Sequence, residues 1–204
     1  MRLLFRLAST ASIALLISAG AARAAPSDPA AGQISTFDDA LLATMKQAQA
    51  LGPKGRYKKL EPAVEQAFNL PLMARYAIGP SWPKFSAADQ QLIIDAFTRL
   101  SIASFAHNFN GYDGERFVVD PSPLTRGGDK VVKTQITPTE GAPTEIDYRM
   151  RADGATWKAI DVLLQGTISQ LTIRRSDLTA VVASGDGKAV AASLNAQADK
   201  LLAK

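Results

Sequence analysis

Apolar positions along this chain recur with two different periods. Ile34, Phe37, Leu41 and Met45 fall at helical spacing and predict an amphipathic helix, which "LGPKG" at 51–55 interrupts. Tyr57, Leu60, Val64 and Phe68 predict a second helix, with Pro62 near its start or kinking it. "NLPLMARYAIGPSWP" predicts a short helix closed by Gly79-Pro80 and a turn at Trp82-Pro83. The spacing from Ser86 to Asp89 is a capping-box pattern and opens the longest helix, to about Asn110. On that helix Leu92, Ile93, Phe97, Leu100 and Ser104 line one face, while Ile94, Ile102, Phe105 and Phe109 load a neighbouring one. An apolar arc of that width predicts contact with more than one partner layer.

From Glu115 the period becomes two. "RFVVD" predicts a short strand, and in "KVVKTQIT" Val132, Thr134 and Ile136 share a face. "TEIDYRMR" alternates, with Ile146, Tyr148 and Met150 on one side and Glu145, Asp147, Arg149 and Arg151 on the other. Ile160, Val162 and Leu164 share a face of the next strand, which Gly166 ends. Turns at Gly127-Gly128-Asp129, Glu140-Gly141 and Asp153-Gly154 join these strands into an antiparallel meander. Helical spacing then returns at Ile168, Leu171, Arg175, Leu178 and Val182. "SGDG" (184–187) interrupts it before a last helix carrying Val190, Leu194 and Leu201. The expected fold class is α+β: N-terminal helices, a four-stranded curved antiparallel sheet covered on one face by the long helix, and C-terminal helices.

The first residues carry a different signal. Arg2 and Arg6 precede an apolar run from Leu7 to Ala19, followed by "AGAARAAP". This is the layout of a secretory signal peptide, with Ala22-Arg23-Ala24 as the cleavage site, and the run is too short to span a bilayer. The expected organisation is a cleaved signal at 1–24, a flexible leader at 25–33 and one domain at 34–204. Removing Arg2, Arg6 and Arg23 takes Lys+Arg from 23 to 20 against 19 acidic residues, a net charge of +1. So small an excess argues against a nucleic-acid partner. Lys54, Arg56, Lys58 and Lys59 form a local basic cluster, expected as a solvated helix face, with contact to anionic headgroups as the alternative. With no cysteine in the chain there is no disulfide, thiol nucleophile or lipidated cysteine.

Candidate chemistry is sparse. His107 is the only histidine, which excludes a multi-histidine metal site, and no calcium-loop spacing is present. Neither a phosphate-binding glycine loop nor a nucleophile elbow occurs. His107, late in the long helix, is a candidate general base or a packed helical residue. Asp161 sits within an apolar strand. It either abstracts a proton from a bound ligand or faces the sheet's other side, where a lysine or arginine pairs with it. No catalytic residue, cofactor or metal is expected. What remains in excess is apolar surface, which suits either a filled core or a hollow one, since both have the same sequence pattern.

"LPLMARYAIGPSWPKFSAADQQLIIDAF" and "WKAIDVLLQGTISQLTIRRSDLTAVVASGDGKAVAASL" resemble the MlaC family of periplasmic lipid-binding proteins, also called toluene-tolerance or ABC-transporter auxiliary proteins. Trp82, Trp157, Asp161, Val162, Gly166, Ser169, Arg175 and Leu178 carry the likeness, in matching order over about residues 34–203. Gly166-Thr167-Ile168-Ser169 is one residue longer than the usual Gly-Val-Ser, and Leu178 stands where an aromatic is frequent. "GTISQL" before "RRSD" is closer to the hopanoid-associated branch named HpnM. The resemblance implies a curved sheet and helices enclosing an apolar pocket, and a periplasmic carrier; a monomer is expected. Its cargo would be phospholipid, or a hopanoid from the branch likeness, moved between an inner-membrane transporter and an outer-membrane complex. It also implies pocket walls at Ile160, Val162 and Leu164, with Val132, Ile136, Ile146, Tyr148 and Met150 from the sheet. Phe97, Leu100 and Phe105 from the long helix, with Met73 and Tyr76, would close the pocket. The competing expectations are an isomerase- or hydrolase-like enzyme using Asp161, and an envelope adaptor with a filled core.

Overall fold

Asp28 starts the first helix, earlier than periodicity suggests. The computed structural model describes residues 28–203, so the expected signal peptide and residues 25–27 of the leader lie outside the described residues. Helix α1 spans Pro29–Met45, with the Asp28 carboxylate accepting from the Ala30 amide at 2.9 Å and proline in its first turn. Lys130 Nζ reaches Asp28 Oδ2 at 2.5 Å and lies 4.4 Å from the centre of the Trp157 ring. Residues 29–33 are therefore helix rather than leader, and Ala30 and Ala31 are buried. Their side chains are too small to register in an apolar period, which is why the helix is legible only from Ile34.

Helix α2 covers Ala48–Ala67, and the expected break at "LGPKG" is a kink at Gly52, with φ 59° and ψ 178°. Arg56 Nη1 donates to the Ala48 carbonyl, one turn before that kink, at 3.0 Å. Arg56 Nε also donates to the Ala106 carbonyl at 2.7 Å. Only 5% exposed, Arg56 ties two helices together and is not part of a solvated basic face.

Helix α3 (Leu70–Ile78) runs into a 3-10 segment at Gly79–Lys84, and α4 (Ala87–Asn108) follows. The Ser86 hydroxyl accepts from the Asp89 amide at 3.1 Å, as the capping pattern predicts. The strands are β1 (Arg116–Val119), β2 (Leu124–Arg126), β3 (Asp129–Val132), β4 (Thr134–Thr137), β5 (Thr144–Asp153), β6 (Thr156–Leu164) and β7 (Ile168–Ser169). Helices α5 (Gln170–Ala183) and α6 (Gly187–Leu202) close the chain.

These strands form one antiparallel sheet of seven, not four. β5 is its centre, pairing β3 and β4 along one edge and β6 along the other; β1 pairs β4, β2 pairs β3 and β7 pairs β6. "KVVKTQIT" supplies two strands because the ladder is interrupted at Lys133. There the Thr134 amide donates to Asp147 Oδ1 at 3.3 Å and the Thr134 hydroxyl donates to the Ile146 carbonyl. β2 is exposed throughout and β7 has two residues, so neither carries an alternating pattern.

Layering also differs from expectation. α4 lies against α6, α2 and α3, and it is α1 that crosses β1, β3 and β6. The broad apolar arc of α4 is thus shared between other helices and an interior space beside the sheet.

Candidate functional site

That space is a cavity of about 380 Å³, within the roughly 300–1,000 Å³ typical of ligand pockets. One wall is a stripe of α4, where Phe97, Ser101, Ser104, Phe105 and Asn108 follow one another at helical spacing. The opposite wall is sheet: Ile146 and Tyr148 of β5, Val162 and Leu164 of β6, and Ile136 of β4. Ile146 pairs with Leu164 and Tyr148 with Val162, so both pairs present to the same face. Phe109 after α4, Leu70 and Met73 of α3 with Phe68 before it, and Gln170, Leu171, Ile173 and Arg174 of α5 complete the lining.

The depth of the cavity is aromatic. Phe68 and Phe105 rings lie 5.2 Å apart, and Phe37 stands edge-on to both at 5.1 Å. Tyr148, 1% exposed, meets Phe37 and Phe68 at 6.2 and 6.1 Å, and burial pushes its phenol well above the usual range. Exposure rises toward α5, where Ile173 is 44% exposed and stands on the rim.

Of the expected wall residues, Met73, Phe97, Phe105, Ile136, Ile146, Tyr148, Val162 and Leu164 line the cavity. Leu100, Val132 and Met150 are buried in the core instead. Tyr76 faces a polar network, its hydroxyl accepting from Arg151 Nη1 at 2.6 Å. Arg151 and Arg149 both bind Asp129, at 2.6 and 2.7 Å, and their hydrogen bonds hold that carboxyl below the ordinary range. Ile160 misses because β6 carries a bulge. Arg149 pairs with Asp161 but Met150 pairs with Ala159, which leaves Ile160 as the extra residue. The α5 wall was not legible as wall, because Ile173 and Arg174 lie off the stripe of Leu171, Leu178 and Val182.

Asp161 is saturated rather than poised. Its carboxylate accepts from the Ser169 hydroxyl at 2.6 Å, the Leu171 amide at 3.1 Å and the Val162 amide at 2.8 Å. The partners are a serine and two amides, not the lysine or arginine that the sequence left open. His107 is not among the cavity walls, and its Nδ1 is buried with no hydrogen-bond partner among the described residues. Among the described residues no group of three His, Cys, Asp or Glu converges as a metal site. No helix among them is long and apolar enough to cross a membrane. The walls carry one charged side chain, Arg174, and no carboxylate. Chemically the arrangement suits a hydrocarbon.

A family model described as MlaC protein matches residues 35–196. A solved structure of a phospholipid-binding protein from Ralstonia solanacearum, in complex with a phospholipid, has a similar fold at a TM-score of 0.74. The two chains are 20% identical, and the alignment covers 87% of this chain and 100% of the other. No curated protein shows significant sequence similarity to the chain.

Proposed function

The chain belongs to the MlaC family, and on that premise we propose that it is a non-enzymatic lipid carrier of the periplasm. It takes the acyl chains of a phospholipid, or a hopanoid, into the cavity between α4, the sheet and α5. It carries them between an inner-membrane transporter and an outer-membrane complex, after a signal peptide at 1–24 has exported it. The observation that carries this reading is the cavity wall: mostly aromatic and aliphatic, with Ser101, Ser104 and Asn108 on α4 and Gln170 and Arg174 on α5 as its polar members. A phospholipid bound to the Ralstonia protein, which shares the fold, supports the same reading.

The energetics fit such a role. Exposing a 16-carbon chain to water costs on the order of 12 kcal/mol, at roughly 0.8 kcal/mol per methylene. A carrier has to match most of that burial without exceeding the membrane's, or the cargo is not released. Nothing in this sequence of events breaks a bond, and the saturated Asp161 has no proton-abstracting task in it.

The test is transfer of a labelled phospholipid, or of a hopanoid, between two vesicle populations. Transfer that rises in proportion to added protein, with the lipid mass unchanged afterwards, supports the carrier. Chemically altered lipid supports the enzyme reading. A folded protein that neither extracts nor transfers either lipid supports the adaptor.

A further inference from the structure

The one charged side chain in the cavity wall, Arg174, has no role in burying hydrocarbon. It lies on α5 one position from the exposed rim residue Ile173, and its own side chain is 27% exposed. Nη1 donates to Gln197 Oε1 of α6 at 2.7 Å, which leaves Nε and Nη2 without hydrogen-bond partners among the described residues. Asp177, three residues on, approaches no nearer than 3.8 Å and is 51% exposed, so it neutralises the guanidinium poorly. Burial pushes Arg174 below the usual arginine range, the sign of a charge that is incompletely solvated and incompletely paired.

The other polar walls, Asn108 among them, carry no charge to attract an anion. The Ser101 and Ser104 hydroxyls each donate to a carbonyl one turn back, at 2.8 Å, so those donors are already spent. Gln170 Nε2 donates to the Ile168 carbonyl at 3.3 Å. Arg174 is left as the donor of charge at the boundary between hydrocarbon wall and water. A lipid with its chains in the cavity places there the group that immediately follows the chains. A guanidinium with two open donors matches a phosphate ester better than it matches a hydroxyl or an ester carbonyl.

We propose that Arg174 determines specificity at the mouth of the cavity, holding the phosphate of a diacyl lipid and discriminating against uncharged lipids of the same chain length. This rests on the carrier reading and narrows its cargo to phosphate-bearing amphiphiles, with sterol-like or glyceride molecules disfavoured. Asp177 moderates the preference, because its carboxylate partly cancels the charge the phosphate would meet.

Delipidated full-length mature protein is offered dioleoyl phosphatidylglycerol and dioleoylglycerol, which share their chains and differ in the phosphate. The expected result is a preference of about tenfold or more for the phospholipid, the scale of one charge-assisted hydrogen bond. Arg174→Gln abolishes that preference by lowering phosphatidylglycerol uptake toward that of dioleoylglycerol, and Arg174→Lys retains part of it. Asp177→Asn, at a half-exposed position that does not threaten folding, increases the preference. A preference that survives Arg174→Gln, or one that Asp177→Asn leaves unaltered, overturns the assignment while the carrier reading stands. Uptake of neither lipid by the folded wild-type protein overturns both.

Discussion

The Ser169 hydroxyl donates to the Asp161 carboxylate at 2.6 Å, fastening the end of β6 to the start of α5 across the Gly166 turn. The same carboxylate takes the Leu171 amide, and the Ser169 oxygen takes the Thr172 amide at 3.0 Å. Asp161 and Ser169 thus cap α5 jointly and hold one wall of the cavity to its neighbour. Replacing Asp161 by alanine removes the acceptor of three part-buried donors, and a hydrogen bond to a charged group contributes about 1.5–3 kcal/mol when well shielded and less when water reaches it. Asp161→Ala is expected to lower the melting temperature markedly, with Asp161→Asn retaining part of the loss. Thermal melts followed by circular dichroism check this. An Asp161→Ala protein with unchanged stability would show that the carboxylate is not structural.

Val162 and Leu164 line the cavity from β6 and are only half-buried, so a larger side chain there has open space to occupy. Leu164→Trp and Val162→Trp are expected to remove most of the bound lipid while keeping a cooperative melt. Any overpacking penalty should stay at or below the roughly 1–3 kcal/mol seen when methylenes are forced into a filled core. Lipid stoichiometry equal to wild type in either folded variant would take β6 out of the site.

Asp38 on α1 is 2% exposed, and neither carboxyl oxygen has a hydrogen-bond partner among the described residues. Burial, with a smaller push from the Asp39 charge, raises its pKa to about 8. Between about pH 4 and pH 8 the native protein therefore holds a proton that the unfolded chain has released. Stability falls as pH rises through that window, by up to about 1.4 kcal/mol per pH unit. Asp38→Asn cannot titrate and is expected to flatten the slope, which denaturant unfolding at pH 5, 6, 7 and 8 measures. Parallel slopes for the two proteins would contradict the buried neutral carboxyl.

Arg175 clamps the end of α3, its Nε donating to the Tyr76 carbonyl at 2.8 Å. Its guanidinium stands 3.3 Å from where a Cβ on Gly79 would lie, and Gly79 has φ 68°. Gly79→Ala meets both obstacles and is expected to destabilise the fold by about 1–2 kcal/mol, read from the urea midpoint. Stability equal to wild type would mean that α3 and α5 are not locked at this point.

The helices were legible because their apolar residues are large and periodic, and the sheet was legible where one face is buried. What the sequence did not reveal follows from local events without a period. The bulge at Ile160 reverses the alternation that made Ile160, Val162 and Leu164 look equivalent. The two short strands carry no alternating signal, and the alanines that extend α1 to Pro29 carry no weight in a hydrophobic count. Tyr76, Leu100, Val132 and Met150 satisfied the apolar pattern as well as Phe97 or Tyr148 did. Only packing separates a residue facing a core from one facing a cavity. The motif residues Asp161, Gly166, Ser169 and Arg175 proved to be joints between elements, and of the residues that carry the family likeness Val162 alone lines the space.

Native mass spectrometry of the delipidated protein mixed with phosphatidylglycerol tests the central claim most directly. The account predicts a folded species heavier by the mass of one intact lipid, greatly diminished in Leu164→Trp. A protein that remains folded and gains no lipid mass at any ratio would contradict it.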